Sequence, residues 1–187
     1  RGYKDEPRGI DFSKVLKQVA KPYAVGAQGQ IVYGTYYSYF GTSAGLVSSV
    51  FDLAKYAVAL DIVALVPKAQ LQEMWTAQQR PDGSALPYGL GWFVQPYEGL
   101  QVVYHFGVWG GCSSLLLKVP ERKLSFILLA NNERLSSLFD FLGPHGVASS
   151  PFALTFLHSF ALAGGKVPPL AAFEPQEQLA AQLRKLR

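Results

Sequence analysis

Residues 88–130 read YGLGWFVQPYEGLQVVYHFGVWGGCSSLLLKVPERKLSFILLA, and the spacing of apolar residues in this stretch decides the fold. Tyr88, Leu90, Trp92 and Val94 alternate with Gly89, Gly91 and Phe93, the period of two of an extended chain with one face packed. Apolar runs follow at residues 100–105, 112–119 and 124–130. Glu98-Gly99 and Pro120-Glu121-Arg122-Lys123 separate them by no more than hairpins need. The stretch therefore predicts an antiparallel meander of about four strands.

Helical signals flank the meander. Residues 12–20 place Phe12, Val15, Leu16 and Val19 on one helical face, closed by Lys21-Pro22. Residues 23–45, rich in Gly and Tyr, predict loop with one or two short extended pieces. Ser49 followed by Asp52 is a capping pattern for a helix to about residue 60, and Pro67 suits the first position of a helix ending near Trp75. Arg80-Pro81-Asp82-Gly83 is a turn. Downstream, Ser150-Pro151 opens a helix with a stripe of Phe152, Phe156, Phe160 and Ala163, ended by Gly164-Gly165. A Pro-containing link then leads to a polar helix from Pro175 with Leu179, Leu183 and Leu186 on one side. Helices, consecutive strands, then a helix make an α+β fold, helices packed on an antiparallel sheet. The chain divides into an N-terminal helical segment (1–22), a main domain (23–163) and the link with its polar helix (164–187).

Composition excludes several function classes. With 49% apolar residues the chain can bury a core without a staple. The net charge is +4, yet residues 23–163 carry 7 Lys and Arg against 8 Asp and Glu, so the excess sits at the ends and argues against a nucleic-acid partner. Apolar runs stop well short of the ~20 residues of a transmembrane segment. One cysteine, Cys112, forms no internal disulfide, and with three histidines it offers no zinc-type cluster. Neither a dinucleotide fingerprint nor a phosphate loop is present, so no cofactor and no metal are expected. The chain starts at Arg1 without Met or an apolar signal stretch and is expected to be a piece of a longer protein or a processed product.

The chemistry concentrates at Tyr104-His105-Phe106-Gly107-Val108-Trp109-Gly110-Gly111-Cys112, between two strands. Its glycines let backbone approach a ligand closely, and an ionisable His beside free N–H groups can bind or polarise an anionic oxygen. A glycine-rich hairpin with an incidental His is the plain alternative. Trp109 is placed to line a cleft, whereas Trp75 and Trp92 fall on periodic apolar faces and are expected in the core. Gly41-Thr42-Ser43-Ala44-Gly45 fits the G-x-S-x-G elbow, with Asp140 and His158 following in order. That elbow needs a helix directly after the serine and a parallel sheet, so a small-residue turn is the better reading of Ser43. His158 is expected to be packed, His145 a solvated loop residue, Asp52 a cap and Glu121 part of a turn.

The ordered motifs Ala44-Gly45-Leu46-Val47-Ser48-Ser49-x-x-Asp52-Leu53, Tyr88-Gly89-Leu90-Gly91-Trp92, His105-Phe106-Gly107-x-x-Gly110-Gly111, Pro120-Glu121 and Leu129-Ala130-Asn131 resemble the C-terminal half of the serine β-lactamase and penicillin-binding-protein-like family, in its class C β-lactamase and esterase branch. The resemblance covers about residues 20–163 and implies an incomplete β-lactamase/transpeptidase-like fold. It places His105 at the cationic or polar position of the family's third motif, Phe106 at its middle and Gly107 beside the substrate carbonyl. The N–H of Val108 becomes half of an oxyanion hole. Asn131 matches an asparagine that helps recognise a substrate carboxylate.

The departures are equally specific. The family's Ser-x-x-Lys and Tyr-x-Asn, which supply the nucleophile and a second proton-transfer group, occur nowhere in the chain. Phe106 stands where a hydroxyl residue is usual, which favours an esterase or peptidase-like parent over a β-lactamase. The implied function is thus the C-terminal portion of a serine hydrolase acting through an acyl-enzyme on an upstream Ser, with an ester, amide or β-lactam substrate. A non-catalytic binding or structural module derived from that fold is the alternative. Its partner is expected to be the missing N-terminal half or a second copy. Many members of the family are periplasmic or secreted.

Overall fold

Both hairpin turns flanking the longest strand depend on left-handed backbone. Glu98 (φ 46°) and Gly99 (φ 79°) close the first, a pairing that matches the right-handed twist of the strands it joins. Gly111 (φ 75°) serves the second. The structure, a computed structural model, describes residues 17–34 and 43–162. Four strands follow one another as an antiparallel meander in the order β3-β4-β5-β6: β3 (Phe93–Tyr97), β4 (Leu100–Trp109), β5 (Cys112–Val119) and β6 (Leu124–Ala130). Pro96 is tolerated because β3 lies at the sheet's edge.

The first strand starts at Phe93 rather than Tyr88. Gly91 adopts φ 78°, which turns the chain, so residues 88–92 form a tight loop closed by a bridge between Tyr88 and Phe93. The alternation of apolar residues there reflects a loop with one buried anchor, Trp92, not a strand.

A separate hairpin, β1 (Tyr23–Val25) with β2 (Ile31–Tyr33), supplies the two extended pieces expected there. It is tethered to the end of β6: Tyr23 N–H donates to the Asn131 carbonyl at 2.7 Å.

Helix α1 (Val50–Asp61) begins as its cap dictates, with Ser49 Oγ accepting from the Asp52 N–H at 3.1 Å. Helix α2 (Lys68–Met74) follows Pro67, and α3 (Arg134–Ser137) is a single turn. Helix α4 (Pro151–Phe156) is capped by Ser150 and widens into a π turn at Leu157–Ala161. Here the expected stripe is corrected. Ala153, Phe156, Leu157 and Ala161 are buried, whereas Phe152 and Phe160 are 47% and 70% exposed. The wider turn carries more residues per revolution, so it swings Phe160 toward the Phe152 side and Ala161 inward. Ala163, the Gly164-Gly165 stop, most of the helix expected at 12–20 and the polar helix from Pro175 lie outside the described residues; residues 17–19 form a turn.

The sheet is covered on both faces. Leu100, Val102 and Tyr104 of β4 and Leu115, Leu117 and Val119 of β5 pack against Phe141, Val147, Ala153, Phe156 and Leu157. Burial pushes the Tyr104 hydroxyl up to about 12 while it donates to the Phe141 carbonyl. On the opposite face Val94 and Val103 meet Leu60, Leu71 and Trp92. The result is the expected α+β arrangement. Among the described residues no helix is long and apolar enough to cross a membrane.

Lys118 fastens α1 to the second face. Its side chain is fully buried, and its ammonium donates to Asp61 Oδ1 (2.9 Å), Ser125 Oγ (2.7 Å) and the Ala57 carbonyl (3.1 Å). Three donors meet three acceptors. Removing the cation strands a largely buried carboxylate, so Lys118→Met is expected to cost about 3 kcal/mol. Lys118→Met with Asp61→Leu should recover more than half of that in urea unfolding, and equal losses from the single and double variants would show that the pair is not the clamp.

Candidate functional site

Strand β4 has ten residues and β3 five, and their register sets what β4 exposes. Phe93, the first residue of β3, pairs with Tyr104, so residues 105–109 extend past it. The two-residue turns pair Tyr97 with Leu100 and Trp109 with Cys112. Residues flanking such a turn are hydrogen-bonded pairs, and the pattern alternates along an antiparallel ladder. Odd-numbered residues of β4 therefore aim their N–H and C=O at β5, and even-numbered ones aim theirs at β3. Beyond Tyr104 the even-numbered Phe106 and Val108 turn these groups to an open edge among the described residues.

His105 sits at that edge. Its Nδ1 lies 2.8 Å from the Phe106 carbonyl and its Nε2 3.2 Å from Tyr88 Oη. Its ring also lies near Phe93, with centroids 5.6 Å apart. Tyr88 is delivered by the loop of residues 88–92. There Gly89 N–H donates to Trp92 (2.7 Å) and Leu90 N–H to the Met74 carbonyl (3.0 Å). A side chain at Gly89 would collide with the Met74 and Thr76 carbonyls. Trp92 is 4% exposed and meets Trp75 edge-on at 6.3 Å.

The other predicted site residues are placed as follows. Gly107 pairs with Ser114, and a Cβ there would stand 3.0 Å from Ser114 Oγ. Val108 is exposed, and Trp109, half-buried, closes the Gly110-Gly111 turn opposite Cys112. Gly111 N–H donates to Glu133 Oε1 at 3.1 Å. Burial and the neighbouring Glu133 raise the Cys112 thiol, which disfavours its thiolate. Phe106 stacks on Phe141 (4.7 Å) and Phe93 (5.5 Å), against the core on the face opposite His105. Asn131 follows Ala130, which is in register with Ser113 and through it with Val108, so about two strand spacings, ~10 Å, separate them. Its amide donates to the Lys21 carbonyl at 2.9 Å.

The structure thus gathers His105, Gly107, Val108 and Trp109 on one edge and adds Tyr88. Sequence reasoning quoted Tyr88 within a motif without a role; a tyrosine followed by two spaced glycines was the available signal. The elbow reading of Ser43 fails, since α1 starts at Val50 and the sheet is antiparallel. His158 is packed, its Nε2 2.9 Å from Tyr97 Oη. Among the described residues no group of three or more His, Cys, Asp or Glu could hold a metal.

Residues 7–140 match the family model described as Beta-lactamase. The chain belongs to the serine β-lactamase and penicillin-binding-protein-like family. It is 30% identical over 92 residues to Penicillin-binding protein 4* of Bacillus subtilis (strain 168), covering 48% of this chain and 20% of that protein. It is also similar to the octameric penicillin-binding protein homologue from Pyrococcus abyssi, with 27% identity and a TM-score of 0.55 over 65% of this chain and 29% of that one. The chain therefore spans less than a third of either relative.

In this β-lactamase-family chain the loop of residues 88–92 depends on Gly89. Gly89→Ala is expected to cost about 2 kcal/mol through overpacking against carbonyls that cannot move freely. Gly91→Ala, with open space around it but φ 78°, should cost about 1–2 kcal/mol. Chemical denaturation measures both, and wild-type stability for Gly89→Ala would refute the close approach.

Proposed function

We propose that this chain forms the substrate-carbonyl wall of a serine hydrolase whose nucleophile lies on a segment outside these 187 residues. The observation that carries the reading is the open edge of β4 past Tyr104, where the Val108 N–H is directed outward on the same strand as His105, three residues or about 10 Å further along it. A backbone donor fixed in a sheet is pre-organised for developing negative charge on a carbonyl oxygen. In this reading the serine Oγ attacks an ester, amide or β-lactam carbonyl and the C–O or C–N bond breaks. Water then cleaves the acyl-enzyme, releasing the acid and restoring the serine. Val108 donates to the oxyanion, Gly107 permits close approach, His105 supports polarisation or proton transfer, and Trp109 lines the cleft. Phe106 backs the strand with an apolar ring and favours ester or peptide substrates. For Asn131 to meet a substrate carboxylate, its amide must leave the Lys21 carbonyl.

The uncovered outer surface of α1 supports a missing portion. Val50, Phe51, Tyr56 and Val58 are all exposed, although Ala57 and Leu60 are buried. Apart from the exposed Asp52–Lys55 pair, this outer surface is apolar, and a helix that shows apolar residues on its outer as well as its inner face belongs against a further body. The absence of Ser-x-x-Lys and Tyr-x-Asn from the chain also supports a second reading, a binding or structural module that has lost catalysis.

Intact mass after exposure to a fluorophosphonate separates the readings. The 187-residue chain alone should stay unlabelled and turn over neither a p-nitrophenyl ester nor a chromogenic cephalosporin. A chain extended to include a Ser-x-x-Lys should be labelled on that serine; no labelling favours the module, and labelling of Ser43 overturns both. By light scattering the isolated chain should run as more than one copy, and a well-folded monomer would count against a missing cover for α1.

A further inference from the structure

Both ring nitrogens of His105 are occupied within the protein. The Phe106 carbonyl has only lone pairs to offer, so the nitrogen facing it at 2.8 Å, Nδ1, is the one that carries hydrogen. In the neutral ring Nε2 then presents a lone pair, and Tyr88 Oη at 3.2 Å is its donor. Which nitrogen holds the proton is set by the bond that the other one makes.

We propose that Tyr88 is a positioning residue that holds His105 as the Nδ1–H tautomer, in one orientation, at the open edge of β4. The hydroxyl does this because its ring is fixed. The Tyr88 backbone bridges Phe93, and its ring meets the Phe93 ring edge-on at 4.7 Å and 81°. The following loop is bound to Met74 and anchored by buried Trp92. With Nδ1 spent on its own strand and Nε2 on Tyr88, the remaining acceptor sites of the pair are the lone pairs of Tyr88 Oη. His105 is then held as a fixed dipole at the edge, and of the two roles the hydrolase reading allows it, polarisation is the one its occupied ring nitrogens leave. The catalytic consequence rests on the serine hydrolase reading; the tautomer does not.

The test uses the chain labelled with 15N-histidine, observed above the titration of the imidazole, in solution or as a sedimented solid so that association is no obstacle. His105 is assigned by the signals lost in His105→Gln. The wild-type spectrum should show a pyrrole-type Nδ1 and a pyridine-type Nε2, the reverse of the form that free imidazole side chains prefer in water. Tyr88→Phe keeps the ring and removes only the hydroxyl, and it should shift the population several-fold toward the Nε2–H form. A wild-type Nε2–H form, or a Tyr88→Phe spectrum identical to wild type, overturns the proposal. In an extended, active enzyme Tyr88→Phe should lower kcat about tenfold with KM within about twofold, the split expected when the orientation of His105, and not ground-state binding, is lost. An unchanged kcat overturns the catalytic consequence. An extended enzyme with no activity before any substitution refutes the hydrolase reading instead, and leaves the tautomer result standing.

Discussion

The clamp at Lys118 is the constraint on which the second face of the sheet depends. An ammonium removed from water is tolerable only when each of its hydrogens finds an acceptor, and those acceptors must be rigidly placed. Ser125 is fixed by its register opposite Lys118, while Asp61 and Ala57 lie one helical turn apart on α1. Satisfying all three determines how far α1 stands from the sheet and which face it presents. Leu60, on that face, joins Leu71, Trp92, Val94 and Val103 in one cluster. Trp92 in turn anchors the loop that carries Tyr88, so a buried charge and the polar contact at His105 are linked through a single packed layer.

The mismatch in strand length gives that layer its use. An unpaired strand edge is normally a hazard, since free N–H and C=O groups recruit other chains. Here the edge past Tyr104 is managed unequally. The Phe106 carbonyl is covered by the His105 ring, while Val108 is left exposed. In the reading proposed above, a developing oxyanion needs a donor free and a nearby acceptor suppressed, and the His105 ring folded back on its own strand would supply that suppression.

Local signals in the sequence were readable and distant ones were not. Glu98-Gly99, the Ser49 and Ser150 caps and the short break at residues 120–123 each act within four residues, and each stands where its chemistry requires. The strand expected from Tyr88 failed because Gly91 takes a left-handed conformation that alternation of apolar residues cannot reveal. The phenylalanine stripe failed because a π turn changes the helical period midway. Lys118 sits in an apolar run, and nothing nearby marks it as buried; its partner Asp61 lies far away in sequence, on another element. Of the site, the strand from His105 to Trp109 was legible as a motif. The Tyr88 contact was not, because it joins residues 17 apart through a loop whose shape had first to be known.

The same register explains the most conspicuous departure in the motif. Alternation along β4 sends Phe106 toward Phe93 and Phe141, while Gly107 lies on the face of Ser114 and His105. A bulky ring is accommodated there because its demand is for apolar packing, and the aromatic stack supplies it. The consequence falls on recognition. With no hydroxyl at the middle of the motif, the groups left at this edge are the Val108 N–H, the Tyr88 hydroxyl and the half-buried Trp109, a set that offers directional hydrogen bonds and apolar surface but no fixed positive charge. On the hydrolase reading proposed above, such an edge would suit a neutral carbonyl compound better than an anionic one, because the packing of the opposite face leaves no hydroxyl at the middle of the motif.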